Sequence, residues 1–240
     1  QGVPEDNKTA VKWYTLAAKQ GHASAQYLLG GMYDNGQGVS QNDKTAVKWY
    51  ALAAEQGLAN AQYLLGGMYE SGAGVPQDNK TAVKWYTLAA KQGHASAQYN
   101  LGFIYDNGQG VPEDNKTAVK WYTLAAEQGH ANAQYNLGWM YRKGKGVPQD
   151  YKTAVKWFRL AAEHGNAESQ YNLGFMYYEG QGVIEDNVYA HMWWNIAASS
   201  GKNKSASKNR DIVAEIMTPA QIAEAQKLAR ECVRKKFKGC

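Results

Sequence analysis

The chain has no run of about 18 or more apolar residues, the length that a membrane-spanning helix requires. Proline and phenylalanine are scarce, with five and four in 240 residues, which argues against a β-rich or disordered chain. Only two cysteines occur, Cys232 and Cys240, both at one end. No charged-then-apolar leader opens the chain. It begins at Gln1 rather than Met, so an upstream segment is expected to have been removed. The body also lacks charge of one sign. Residues 1–200 carry 16 Lys/Arg against 17 Asp/Glu, a net −1, while residues 201–240 carry ten against four, a net +6; together these give +5. A nearly neutral body argues against a nucleic-acid groove along it, and the excess positive charge is a tail.

Aromatics and glycine are plentiful. Eight Trp and 17 Tyr supply material to bury, and the 25 Gly recur at fixed spacing, which makes them punctuation rather than linker. Trp13, Trp49, Trp85, Trp121, Trp157 and Trp193 each stand 36 residues apart. Leu-Gly pairs recur from Leu29-Gly30 to Leu173-Gly174, and Gly-x-Gly-Val loops recur at Gly36, Gly72, Gly108, Gly144 and Gly180. No insertion breaks the register.

Each period holds two helical segments. In the first, Ala95, Gln98, Leu101, Gly102 and Tyr105 share one helical face, and the glycine inside the helix implies close crossing by a neighbour. The segment stops at the glycines of Asp106-Asn107-Gly108-Gln109-Gly110. Asp114 then caps a second helix bearing Ala118, Trp121, Tyr122, Ala125 and Ala126, which ends at Gly129. One such hairpin cannot bury its own apolar face, so neighbours must stack on it.

The pattern Ala-x-x-x-Leu-Gly-x-x-Tyr-x-x-Gly-x-Gly-Val-x-x-Asp-x-x-Lys-x-Ala-x-x-Trp, ending Ala-Ala-x-x-Gly, resembles the Sel1-like repeat, a relative of the tetratricopeptide repeat. The resemblance covers residues 1–201. It implies an all-α fold, a right-handed α-α superhelix of antiparallel hairpins with period 36. The expected organisation is a half repeat at 1–21, repeats at 22–57, 58–93, 94–129, 130–165 and 166–201, and capping helices with a basic tail over 202–240. Asn42 stands where other copies carry Asp78, Asp114, Asp150 and Asp186, and it caps equally well. Lys202–Met217 reads as a capping helix, and Thr218-Pro219-x-Gln221 as a capping box opening a final helix through about Phe237.

The resemblance also implies that the first helix of each pair lines a concave binding surface. Along that outward stripe the copies differ. Tyrosine recurs at Tyr27, Tyr63, Tyr99, Tyr135 and Tyr171, while Leu28 and Leu64 become Asn100, Asn136 and Asn172. Gly31 and Gly67 become Phe103, Trp139 and Phe175, and the rim runs Asp34, Glu70, Asp106, Arg142, Tyr178. The candidate partner-binding residues are therefore Tyr99, Asn100, Phe103, Asp106, Tyr135, Asn136, Trp139, Arg142, Tyr171, Asn172, Phe175 and Tyr178. Tyr and Trp anchor partners, and Asn can hydrogen-bond an extended backbone. The alternative for the tyrosines is packing within the solenoid.

Catalytic and cofactor chemistry finds no support. The glycine loops are not followed by Gly-Lys-Ser/Thr, and Asp34-Asn35-Gly36 lacks the ligand spacing of a calcium loop. His22, His94 and His130 recur one per layer, about 10 Å or more apart, too far to share a metal, and read as surface histidines. Ser199-x-x-Lys202 and Ser205-x-x-Lys208 match one motif of β-lactam-binding enzymes without its companions.

The expected function is a non-catalytic scaffold, a monomer, binding a protein or peptide, with no cofactor, metal or nucleic acid. The alternatives are a cell-wall or β-lactam hydrolase, or attachment to an anionic surface through Arg234-Lys235-Lys236-Phe237-Lys238. Cys232 and Cys240 are either a disulfide, fitting an exported protein, or two reduced thiols. The resemblance implies an envelope or host-interface role in a bacterium, periplasmic or secreted, with the cytoplasm as the alternative.

Overall fold

The start and stop signals recur every 36 residues, and so do the helices. The computed structural model describes residues 4–199, 201 and 203–240, and no strand occurs among them. The helices are α1 (Pro4–Lys19), α2 (Ala23–Asn35), α3 (Asp43–Glu55), α4 (Ala59–Ser71), α5 (Asn79–Lys91), α6 (Ala95–Asn107), α7 (Asn115–Glu127), α8 (Ala131–Lys143), α9 (Tyr151–Glu163), α10 (Ala167–Tyr178), α11 (Asn187–Ser199), α12 (Lys204–Ala214) and α13 (Pro219–Arg234). Successive helices pack in antiparallel pairs, giving an all-α repeat solenoid. The chain divides into two compact units, Gln1–Asp114 with α1–α6 and Asn115–Cys240 with α7–α13. Residues 1–3 of the N-terminal half repeat, and Lys202 at the start of the expected capping helix, lie outside the described residues.

Helix starts are held by side chains that accept the unsatisfied first-turn amides. The Asn42 side chain accepts from the Thr45 amide at 2.9 Å, and Asp78 accepts from the amides of Lys80 and Thr81 at 3.0 and 3.1 Å. The Thr81 and Thr153 hydroxyls donate to Asp78 and Asp150 at 2.7 and 2.6 Å, and these bonds hold both carboxyls below their usual range. Helix ends fall on Gly36, Gly72, Gly108 and Gly144 in the left-handed region.

Two kinds of glycine let the layers approach. A Cβ on Gly30 or Gly66 would lie 2.7 or 2.8 Å from the ring of Tyr50 or Tyr86, and one on Gly138 or Gly174 would meet the ring of Phe158 or Trp194 at 2.8 or 2.6 Å. The helical glycine thus seats the central aromatic of the next helix against bare backbone. The second glycine of each Gly-x-Gly-Val loop docks one repeat on the one before. Gly38 and Gly74 would place a Cβ 2.5 Å from the carbonyl carbons of Asn7 and Asp43, at the start of the preceding repeat's second helix.

A polar ladder runs through this core. Gln26 and Gln62 are buried, and their side-chain amides donate to the carbonyls of Ala18 and Ala54, both at 3.1 Å. Gln98 and Gln134 do the same for Ala90 and Ala126, so each glutamine satisfies an end-of-helix carbonyl from the preceding helix. Gln56 and Gln92 in turn donate to the side-chain oxygens of Gln26 and Gln62, at 2.7 and 2.8 Å. His164 stands where this donor glutamine would be for the next layer but one, and the Gln134 side-chain oxygen is buried without a partner.

The face expected of α6 is displaced slightly. Ala97, Gln98, Leu101, Gly102 and Ile104 are buried, while Ala95 and Tyr105 are only half-buried. At the C-terminus the Thr218–Gln221 capping box forms, with the Thr218 amide donating to Gln221 at 2.9 Å and the Gln221 amide to Thr218 at 3.3 Å. The final helix ends at Arg234, short of the expected Phe237. There Lys236 and Phe237 take positive φ, the Phe237 amide donates to the Cys232 carbonyl, and the Phe237 ring reaches Gly165. That turn brings Cys240 to Cys232, and the two sulfurs are bonded.

Candidate functional site

The stripe begins with the recurrent tyrosines, whose rings lie on the core. Tyr27 sits 6.1 Å from Tyr50, Tyr63 sits 5.8 Å from Tyr86 and Tyr135 sits 6.0 Å from Phe158, each tilted by about 40°. This geometry is the packing alternative, since edge-tilted rings at such distances stabilise a layer on their own. The rings are only half-buried, so each also contributes area to the surface.

In the first unit the rim is acidic and tied to the core. The Tyr50 hydroxyl donates to Asp34 at 3.3 Å, and the Tyr86 hydroxyl donates to Glu70 at 2.6 Å. Burial first, and the adjoining carboxylates after it, push both phenols above the ordinary tyrosine value. Gly31 and Gly67 have no side chain to project, and a cleft of about 560 Å³ opens beside Tyr27, Leu28, Gly31 and Asp34. The last copy of this unit carries Tyr99, Asn100, Phe103 and Asp106 on α6. Asn100 hydrogen-bonds Tyr86, Tyr99 and Asp106 are half-buried, and Phe103 is 39 % exposed.

The second unit is built differently. On α9 Phe158 stands where α3 and α5 carry a core tyrosine, so this position offers no hydroxyl to a carboxylate, and the rim residue on α8 is Arg142. Its Nη1 donates to Asn172 Oδ1 at 2.8 Å, and its guanidinium lies 4.5 Å from the Phe175 ring centre. Asn172 also donates to the Glu168 carbonyl at 2.8 Å and is only 6 % exposed, so both ends of its amide are engaged within the protein. Tyr135, Trp139, Tyr171, Phe175 and Tyr178 are half-buried on α8 and α10, as is Asn136. Lys145 Nζ lies 5.9 Å from the Trp139 ring. The Tyr171 hydroxyl accepts from Asn209 of α12 at 3.2 Å, and the Tyr178 ring lies 5.7 Å from Trp194. Burial, with the Glu168 carboxylate behind it, pushes the Tyr135 phenol up.

Eight of the twelve stripe residues therefore lie together on α8 and α10 of the second unit, from Tyr135 to Tyr178, and the other four lie on α6 of the first. The histidines have a role that sequence reasoning missed. His94 and His130 Nδ1 accept from the amides of Ala97 and Ala133 at 3.2 and 3.3 Å, capping α6 and α8, and His94 stacks on Tyr63 at 4.5 Å. Burial lowers both imidazole pKa values. Their position before each first helix was the available signal, because Asn166 caps α10 at the equivalent place.

Other chemistry is sparse. No group of three or more His, Cys, Asp or Glu able to hold a metal occurs among the described residues, and none of the helices described is long and apolar enough to cross a membrane. The Ser199 hydroxyl donates to the Ile196 carbonyl at 2.7 Å, a helix-end bond, and its motif partner Lys202 is outside the described residues.

Helical hairpins stacked through a recurrent glycine and glutamine define a tetratricopeptide-like repeat solenoid. The Sel1 repeat model matches six consecutive segments, residues 1–22, 23–58, 59–94, 95–130, 131–166 and 167–202, and the chain belongs to the Sel1 repeat family. It is similar to a Sel1 repeat protein from Oxalobacter formigenes, 33% identical, with a TM-score of 0.78 and coverage of 95% of this chain and 98% of that one. It also resembles c5321, a protective antigen of uropathogenic Escherichia coli with an SLR fold, at 31% identity and a TM-score of 0.61. That match covers 96% of this chain but 58% of the E. coli protein. A putative Sel1 repeat protein from Klebsiella pneumoniae, 22% identical over 85% of this chain and 99% of that one, shares the fold at a TM-score of 0.50. No curated protein matches the chain.

Proposed function

We propose that the protein is a non-catalytic, monomeric scaffold that binds a protein or peptide partner along the concave stripe of its first helices. Sel1 repeat proteins are generally protein-interaction scaffolds, so the class of function follows from the family. One observation supports the stripe as the site. The helical glycine and the buried glutamine recur from copy to copy, whereas the outward position changes from Gly31 and Gly67 to Phe103, Trp139 and Phe175. Large aromatics that are half-buried or exposed in the free protein, and the half-buried Arg142, have the composition of interface anchors. Tyr135, Tyr171 and Asn172 serve mainly to hold that surface in place.

The compartment proposed is the bacterial periplasm or the exterior, with the cytoplasm as the alternative. The Cys232–Cys240 bond supports an oxidising setting. Thiol titration of protein isolated from its native source should find no free thiol, and two would favour the cytoplasm. The site is tested by pull-down with Phe103→Ala, Trp139→Ala and Phe175→Ala combined. Capture of the partner should fall sharply with helicity intact, and unchanged capture would place the site elsewhere.

A further inference from the structure

The rim residue of the second unit differs in sign and in partner from those before it. Asp34 and Glu70 each accept from a core tyrosine. Arg142 has no such phenol, because residue 158 is phenylalanine, and no carboxylate pairs with it among the described residues. Its closest contacts are an amide oxygen and a ring face, and Tyr151, Tyr171, Tyr135 and Glu179 lie within electrostatic range of it. Asn172 Oδ1 takes one of the five N–H donors of the guanidinium, and Phe175 supports one side of its plane. Asn172 is fixed in turn through its bond to the Glu168 carbonyl. A guanidinium oriented by a buried amide and a ring, half-withdrawn from solvent, has its rotamer already settled and its ordering cost already met before any ligand arrives. Glu168 and Glu179 are the acidic side chains nearby, and both are exposed.

The geometry points to an acidic peptide segment as the occupant of the α8–α10 surface, with one of its carboxylates held by the Arg142 guanidinium and its apolar residues against Trp139 and Phe175. This inference rests on the stripe being the docking site, and it adds the chemistry of what docks. Planar fork and planar carboxylate pair through two parallel hydrogen bonds, which fixes the register of the peptide as well as its affinity. A lysine in the same place would supply charge without the fork. The sequence change is a coupled one: carboxylate with phenol in the first unit, guanidinium with phenyl in the second. The two rims therefore present different charges.

The test is selection from a random 12-residue peptide phage library on the intact chain, with R142Q and R142E selected in parallel. Circular dichroism and the melting temperature of each variant must match the parent. Peptides selected on the parent should be enriched in Asp and Glu. Replacing the key acid by its amide, or using R142Q, should weaken binding by about tenfold or more, R142K should recover only part of the loss, and R142E should select Lys and Arg instead. Acid-free selectants that lose binding on Trp139→Ala with Phe175→Ala would overturn the acidic partner while leaving the stripe as the site. Selectants indifferent to Trp139, Phe175 and Arg142, or none at all, would remove both.

Discussion

The two units repeat the helical glycine and the buried glutamine of the core and differ most on the rim. In the first, Asp34 and Glu70 lie in a shallow trough of Gly31 and Gly67, each tied to a buried tyrosine. In the second, Arg142 lies on Phe175 beside Trp139, above a core phenylalanine. The difference teaches that this scaffold has two layers of sequence constraint. A layer is fixed wherever a side chain meets the next repeat, and free wherever it meets solvent. A single core substitution, tyrosine to phenylalanine at 158, changes what the rim above it can hold.

The shared core makes the largest prediction. Gly66→Val and Gly138→Val would each drive side-chain atoms into a ring already within 2.8 Å of a Cβ, so both should destabilise by about 3 kcal/mol in urea unfolding. If one were tolerated, the units would not be packed alike. The glutamine ladder should separate them. Gln62 serves two bonds and Gln134 has an unpaired oxygen, so Gln62→Ala should cost about 2 kcal/mol and Gln134→Ala about 1 kcal/mol. Tyr86→Phe removes a charge-assisted bond to Glu70 and should cost about 1.5 kcal/mol, measured the same way.

The smallest effect concerns pH. His94 and His130 cap helices through an unprotonated Nδ1, and burial lowers their folded pKa values. The unfolded chain then binds the proton more readily, so the capping contribution is complete above about pH 6.5 and is lost as pH falls through the depressed folded values. His130→Asn, the cap found at Asn166, should keep stability at neutral pH within about 0.5 kcal/mol and flatten that part of the acid slope in thermal melts.

Much of the architecture was legible because it repeats. A fixed interval of 36 residues places caps, glycines and core aromatics without reference to distant contacts, and the family pattern follows from the same residues. The close approach at Gly66 was readable from a glycine inside a helix, and the ring of Tyr86 explains it. What was not legible depends on where one side chain meets another across layers. The buried glutamines repeat too, yet nothing local says that their partners are carbonyls of the preceding helix. Asn172 looked free to meet a peptide, and its Oδ1 is taken by Arg142 from the preceding copy. The left-handed turn at Lys236–Phe237 breaks the preference of non-glycine residues for negative φ, so helical periodicity could not place the end of the last helix.

The central claim is that the surface that varies, on α8 and α10, is the surface that binds. Site-specific photocrosslinking tests it most directly, with a benzophenone side chain placed at Trp139 in one protein and at the exposed Lys120 of α7 in another. In cells of the native source, the probe at 139 should trap a partner that mass spectrometry maps through an acidic segment, and the probe at 120 should trap none. A partner trapped from 120 and not from 139 would contradict the account.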